Sequence, residues 1–274
     1  MSNCRFSIRL SGNLLVMFLA LVPLAAAAAP CGSNSAGFSA WVADFKKEAR
    51  AKGISQRAIN AGLSGVTYNR RVIRLDRSQR SFKLSFKRFY ARRVSSRLLT
   101  KGRRMMRTHA RLLSRIQKRY GVPPQIIVSI WGLESNYGRG SGRMPIVRSL
   151  ATLAYDCRRS AFFKRELLAA LSIISRGYMP ASEMRGGWAG EIGPMQFLAS
   201  SYLKYSVDFD GNGRRDLIRS VPDMLGSTAN YLRAYGWRRG QGWGAGSANY
   251  NVLRGWNKAS VYVKTISVMA GKLR

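Results

Sequence analysis

The sequence contains, directly behind a Pro123–Pro124 pair, the stretch IIVSIWGLESNYG at residues 126–138. Proline favours the first turn of a helix and disfavours its interior, so the pair predicts a helix start and Gly138 predicts its end. Large apolar residues precede Glu134 by seven, four and three positions, which places its carboxylate on their face of the helix. The helix is therefore predicted to point its one acid toward a core.

A carboxyl in that position is a candidate general acid. Burial disfavours the ionised form, and the raised pKa of Glu134 would let it hold a proton near neutral pH and then donate it. A solvent-facing glutamate near a helix end is the alternative, and periodicity alone leaves it open.

The start of the chain is typical of a secretory signal peptide. Residues 1–29 combine Arg5 and Arg9 with an apolar run and five alanines, and the run is too short for a stable membrane span. Pro30 precedes Cys31 where a lipoprotein signal requires a small residue, so no lipid anchor is expected. The full sequence is 46% hydrophobic. The remaining chain, residues 30–274, is long enough for one large domain or two small ones.

The chain is strongly basic. Without the signal it keeps 45 basic and 12 acidic residues, a net charge of +33, and such a field favours polyanions. The basic residues are spread along the whole chain without a nucleic-acid motif, so an anionic envelope polymer is the expected partner and nucleic acid is not. A solvated basic surface is the alternative.

Histidine and cysteine are scarce. With His109 alone and two cysteines after signal removal, a zinc site or a histidine-dependent triad lacks raw material, so acid–base chemistry falls to carboxylates. Cys31 and Cys157 would share an oxidising compartment, where we expect one disulfide bond between them. Two free thiols are the alternative.

Most of the chain shows apolar residues at helical spacing, and no long alternating run predicts a sizeable sheet. A serine at position 55, 160 or 220 is expected to cap the helix that follows it, and Pro194 is expected to open a helix that runs through Tyr205. The fold class predicted is mainly α.

A glycine- and Asx-rich segment at residues 208–223 fits a small EF-hand-like loop, with a glycine at position 6. Position 12, where a calcium loop has a bidentate glutamate, is Arg219. A turn without metal is the alternative. The candidate ligands are Asp208, Asp210, Asn212, the Arg214 carbonyl and Asp223.

Short motifs in a fixed order carry a family resemblance. They are IWGLESNYG at 130–138, LATLAY at 150–155, RR at 158–159, GWAG at 187–190, QF at 196–197, VDFDGNG at 207–213, STANYL at 227–232 and WN at 256–257. Together they resemble the lytic murein transglycosylase B family of lysozyme-like glycosidases, over residues 38–273. Gly187 is a departure, because the best-known relative has a serine at this position.

The resemblance implies a lysozyme-like helical catalytic core with an additional helical region, in a periplasmic protein of a Gram-negative bacterium. It implies that peptidoglycan glycan strands are the substrate, that no cofactor is required and that calcium is at most structural; a monomer is expected. It also implies a catalytic acid, Glu134, and a set of substrate-binding residues: Arg158, Arg159, Gly187, Gln196, Trp256 and Asn257.

In such a transglycosylase one carboxyl protonates the glycosidic oxygen and then takes the proton of the C6 hydroxyl, which closes a 1,6-anhydro ring. A muramidase-type hydrolase with Glu191 as second carboxylate is the competing enzyme. A secreted basic module that binds peptidoglycan or nucleic acid is the competing non-enzyme.

Overall fold

Short helices joined by capped turns make up most of the chain in this computed structural model, which describes Met1 and residues 30–78 and 84–273. The rest of the predicted signal peptide, residues 2–29, lies outside the described part. The described helices are α1 Phe38–Ala51, α2 Gln56–Leu63, α3 Arg70–Arg77, α4 Phe86–Arg93, α5 Ser96–Thr108, α6 Ala110–Tyr120, α7 Pro124–Ser135, α8 Ile146–Tyr155, α9 Ser160–Ser175, α10 Ala199–Tyr205, α11 Val221–Ala234, α12 Ala248–Trp256 and α13 Ser260–Gly271.

The described residues contain very little β-structure. Strands β1 Met144–Pro145 and β2 Arg185–Gly186 pair antiparallel and form a two-stranded sheet. The prediction of a mainly α fold is confirmed.

Local signals set some helix ends and fail at others. Ser55 and Ser220 cap α2 and α11 as predicted, because each side chain accepts a backbone N–H of the first turn. The prediction for Ser160 is wrong: its hydroxyl donates to the Ala154 carbonyl at 2.5 Å, and Arg159 takes the cap position. The prediction for Pro194 is also wrong, since α10 begins only at residue 199.

Helix α7 lies at the centre of the fold and packs against α5, α6, α11 and α13. All residues from 126 to 133 are buried, so the helix is apolar all round rather than amphipathic. It ends at Ser135, earlier than predicted, because Asn136 and Tyr137 adopt left-handed φ values of 50° and 57°. Glu134 therefore occupies the last turn, where the buried helix reaches the surface of the core.

The remaining helices surround this axis. Helices α8 and α9 pack on each other, and α9 also packs on α2 and α10. One continuous set of buried apolar side chains runs from α1 to α13. Among the helices of the described residues, none has both the length and the apolar character needed to cross a membrane.

The N-terminal arm is fastened to the body by a disulfide bond. Cys31 and Cys157 are joined, with their Cα atoms 5.0 Å apart, and the Gly32 N–H donates to the Tyr155 carbonyl at 2.9 Å. A bond that spans 126 residues removes about 4 to 5 kcal/mol of loop-closure entropy from the unfolded chain in the entropic treatment of cross-links.

Candidate active site

The carboxyl of Glu134 is held by two donors from the end of the chain. Its Oε1 accepts the indole N–H of Trp256 at 2.9 Å and the hydroxyl of Tyr262 at 2.6 Å. Burial raises the pKa of Glu134 above its usual range, while these two hydrogen bonds and the charge of Arg93 act in the opposite direction. Such a carboxyl can carry a proton and also has donors in place for the anion that is left after transfer.

The two donors are themselves fixed by packing. The Trp256 ring meets the rings of Phe197 and Tyr231 edge to face, at centroid distances of 5.4 and 5.0 Å. The Tyr231 hydroxyl donates to the Gly255 carbonyl at 2.7 Å, which ties α11 to the end of α12. Tyr262 is buried in the first turn of α13. The acid's surroundings are therefore rigid.

A cavity of about 210 Å³ opens beside Glu134, and we call it the Trp256 cavity. It brings together residues that are distant in the sequence and that belong to α7, the glycine-rich loop at residues 185–197, α10, α11 and the end of α12. Its lining residues are Glu134, Glu191, Gln196, Phe197, Leu198, Ser201, Tyr231, Trp256 and Asn257. Three of the substrate-binding residues predicted from the sequence are among them.

The glycine-rich loop brings a second carboxyl to this cavity. Glu191 Oε2 accepts the Ala189 N–H at 3.0 Å, and a Cβ atom at Gly187 would overlap that oxygen. Burial raises the pKa of Glu191, and the nearby charge of Glu134 raises it further. A side chain at position 187 would therefore displace the Glu191 carboxyl from this place.

Gln196 has an unusual backbone. Its φ of 53° lies in the left-handed region, which is costly for a non-glycine residue and occurs most often at functional sites. Its Nε2 donates to the carbonyls of Ser141 and Gly193, at 3.1 and 2.7 Å. The side chain is therefore locked, and its amide oxygen faces Gly187, where a Cβ would lie 2.8 Å away.

Arg158 and Arg159 do not line the Trp256 cavity. Both form ion pairs with the buried Asp76, and Arg77 bridges Asp76 to Asp156. Burial alone would raise the pKa of Asp76, but the hydrogen bonds from Arg158 and Arg159 outweigh it and the pKa is lowered. The charge of Arg159 also acts to lower the pKa of Glu191, against the larger effect of burial.

A second cavity, of about 440 Å³, borders Glu134 between α4, α5 and the end of α7. We call it the basic cavity, because five of its lining residues are cationic: Arg92, Arg93, Arg97, Lys101 and Arg139. Arg93 donates to the Leu133 carbonyl, and Lys101 donates to the Asn136 carbonyl at 2.8 Å. These two side chains thus satisfy carbonyls at the C-terminal end of α7.

The predicted calcium loop has converging acids. Oxygen atoms of Asp208, Asp210 and Asp223 lie within 4.8 Å of one another, a donor set that suits a hard cation. At position 12 the Arg219 guanidinium pairs with Glu183 and, at 3.1 Å, with Asp216. The three carboxylates fit calcium, whereas the arginine brings a positive charge where a ligand belongs.

The rest of the loop is closed by its own hydrogen bonds. Asp208 accepts the N–H groups of residues 211 to 213, and Asn212 accepts the Arg214 N–H at 2.9 Å. Asp223 accepts the N–H groups of Phe209 and Asp216, at 2.7 and 2.8 Å. The loop therefore holds its shape through backbone donors.

The chain is similar to known proteins in both sequence and structure. The sequence profile of the transglycosylase SLT domain family matches residues 37–247. The chain belongs to this family.

Individual relatives agree with the SLT-domain assignment. Membrane-bound lytic murein transglycosylase B of Escherichia coli K12 is 42% identical over 129 residues, which are 47% of this chain and 36% of that protein, so the match spans about a third of the relative. SltB3 of Pseudomonas aeruginosa, solved with NAG-NAM-pentapeptide, is 32% identical with a TM-score of 0.80, over 85% of this chain and 78% of its own. Escherichia coli Slt35, solved with calcium, has a TM-score of 0.74 at 24% identity, covers 88% of this chain and 93% of its own, and supports the shared fold.

The lysozyme-like fold predicted for this SLT domain is confirmed by these likenesses. Sequence reasoning missed Tyr262, a direct partner of Glu134. Its only signal is an aromatic residue in the first turn of the last helix, and apolar spacing explains that equally well.

Proposed function

We propose that the protein is a peptidoglycan lytic transglycosylase that cleaves the β-1,4 bond between N-acetylmuramic acid and N-acetylglucosamine and leaves a 1,6-anhydromuramoyl end. The observation that carries the proposal is the buried Glu134 carboxyl, with a raised pKa and two hydrogen-bond donors on one of its oxygens. Membership of the SLT-domain family and the SltB3 complex with a peptidoglycan fragment support it.

In the first step Glu134 donates its proton to the glycosidic oxygen, and the substrate's acetamido group assists the departure of the leaving sugar. The Glu134 carboxylate that results is stabilised by Trp256 and Tyr262, whose N–H and O–H already point at Oε1. Donors that are in place before the charge develops need no reorganisation during the reaction.

In the second step the same carboxylate takes the proton of the muramoyl C6 hydroxyl, and the oxygen closes the anhydro ring. Glu134 thereby returns to its protonated form, and no water enters the products. One carboxyl is sufficient for both steps because it acts as acid and then as base.

A two-carboxylate hydrolase would need an ionised partner for Glu134, either as a nucleophile or as a base for water. Glu191 is the one other acid in the Trp256 cavity as described. Burial raises its pKa, which disfavours the ionised form that either role requires. The competing muramidase mechanism is therefore less well supported.

The proposal assigns residues 30–274 as one catalytic domain, exported to the periplasm behind the signal at residues 1–29. Glycan would bind along the Trp256 cavity through Gln196 and Asn257. No cofactor takes part in either step, and calcium at the 208–223 loop would have a structural role.

The test is Glu134→Gln, which keeps the size of the side chain and its hydrogen-bonding capacity but cannot exchange a proton at working pH. Activity on purified sacculi should fall by roughly 10²- to 10⁴-fold, whereas the variant should still sediment with sacculi. The matched variant Glu191→Gln should keep most of its activity. Mass spectrometry separates anhydro ends from reducing ends, which are heavier by one water.

Three outcomes would contradict the proposal. If the Glu134 variant releases anhydro ends at a near wild-type rate, Glu134 is not the catalytic acid. Reducing ends as the main wild-type product, with a folded but dead Glu191 variant, would favour the hydrolase. An effect on sacculi that survives Glu134→Gln unchanged would favour a non-enzymatic binding module.

A further inference from the structure

The basic cavity is electrically unbalanced. Of the residues that the structure places in its lining, five are cationic and one, Glu134, is acidic. All twelve acidic side chains of the sequence lie in the described part of the chain, and the neighbouring undescribed residues 79–83 include none. The cavity therefore carries more positive charge than its one carboxyl can balance.

The cations of this cavity repel one another. The pKa of Lys101 is lowered by burial first and then by the repulsion of Arg139, Arg97 and Arg104. Like charges that crowd one site oppose each other's ionised form and destabilise the compact state. Groups arranged in this way are typical of a site that awaits an opposite charge.

Part of the cluster has a structural role, and part does not. Arg93 and Lys101 bind carbonyls at the end of α7, where cations also complement the helix dipole. Arg92, Arg97 and Arg139 line the same cavity, and no described residue forms a hydrogen bond or ion pair with any of the three. Their guanidinium groups are exposed donors that match the geometry of a carboxylate.

We propose that the basic cavity binds a carboxylate of the peptide stem that muramic acid carries, with Arg97 and Arg139 as its main donors. The inference rests on the proposed function, because it assigns the muramoyl residue to the neighbourhood of Glu134. The peptide is attached through the lactyl ether of that sugar, close to the bond that Glu134 cleaves. The two cavities meet at Glu134, so a glycan in the Trp256 cavity places its stem at the entrance to the basic one.

The test compares one substrate in two forms. Glycan oligomers that carry tetrapeptide stems are used with their stem carboxylates either free or converted to amides, which removes the charge and keeps the length. For the wild type, KM should be about tenfold lower for the free acid than for the amide, as expected for a hydrogen bond between charged groups. The kcat values should be similar, because the contact is made in ground state and transition state alike.

The variant is Arg97→Gln combined with Arg139→Gln, and the control is Arg57→Gln combined with Arg111→Gln. The control removes the same charge from exposed positions on α2 and α6, outside both cavities. The cavity variant should raise KM for the free acid to the value for the amide and leave the amide unchanged. If it melts early, Arg139→Gln alone, in an exposed turn after α7, gives the same comparison.

The outcomes separate the two proposals. If the wild type releases anhydro ends from neither substrate, the proposed function fails. If it cleaves both with equal KM, or if the cavity variant and the control lose activity alike on both substrates, the stem site is refuted while the transglycosylase stands.

Discussion

Removing the hydroxyl of Tyr262 tests how the acid is tuned. Tyr262→Phe deletes the 2.6 Å hydrogen bond to Glu134 Oε1 and keeps the ring that packs against Phe89. A hydrogen bond to a charged group contributes roughly 1.5 to 3 kcal/mol, which corresponds to roughly 10- to 150-fold in rate. Because Trp256 still donates to the same oxygen at 2.9 Å, we expect the lower end, a fall in kcat of about tenfold.

The same variant should change the pH dependence in a defined direction. The Tyr262 hydrogen bond lowers the pKa of Glu134 against the larger effect of burial, so its loss raises that pKa. The first step needs protonated Glu134, and activity is therefore lost as pH rises through this pKa. The alkaline limb of the kcat/KM profile should move to higher pH in the variant.

The assay is the initial rate of anhydro-end release from soluble glycan oligomers, measured across pH by mass spectrometry. Tyr202→Phe is the matched control, since its buried hydroxyl donates to the Arg215 carbonyl at 2.5 Å and forms no hydrogen bond with a carboxylate of the described residues. An unchanged alkaline limb together with an unchanged kcat would refute this account of Glu134. If the alkaline limb of the kcat/KM profile moves equally in the control, the change reflects a general loosening of the fold.

Two further predictions concern stability. Asp76→Asn removes the buried charge that pairs with Arg77, Arg158 and Arg159, although Arg77 keeps Asp156. Because the three arginine side chains are 39 to 45% exposed and regain water, we expect a loss of about 2 kcal/mol and a melting temperature lower by roughly 4 to 8 °C. The pKa of Asp76 is lowered in the folded protein. Its contribution to stability is therefore present above its unfolded-state pKa and is lost as pH falls through its folded-state pKa. The melting temperatures of wild type and variant should converge in acid, and a constant difference between them at all pH values would contradict this. Millimolar calcium should raise the melting temperature only slightly, because Arg219 replaces a ligand; Arg219→Glu should enlarge the rise, and no response in either protein would exclude the site.

The sequence supported correct predictions where the cause is local or where several motifs occur in order. The caps at Ser55 and Ser220 depend on the serine and the three residues after it. The helical reading of α7 followed from its prolines and apolar residues. Glu134 stays a predicted acid, and the reason for choosing it was partly wrong, since α7 is buried on every side and the distinctive feature of Glu134 is its place in the last turn.

Other features depend on tertiary packing that no local pattern records. Ser160 had the residue type of a cap, yet the Ala154 carbonyl is a nearer partner for its hydroxyl. Glycan binding by Arg159 stays a prediction from the resemblance, and the structure adds a partner that the sequence does not show, Asp76, 83 residues earlier in the chain. The basic cavity was hidden because it combines cations at positions 92 to 101 with Arg139, and the sequence does not show that these positions meet.

The donors to Glu134 come from positions 122 and 128 residues further along the chain. Helix α13 therefore acts as a latch: if it detaches locally, Oε1 of the acid loses the Tyr262 hydroxyl and is left with the Trp256 donor of α12, while the rest of the core can remain folded. Catalytic competence would then disappear at lower denaturant concentration than the far-UV helical signal. Activity measured along a denaturation curve is thus a sensitive reporter of the contact between α13 and Glu134.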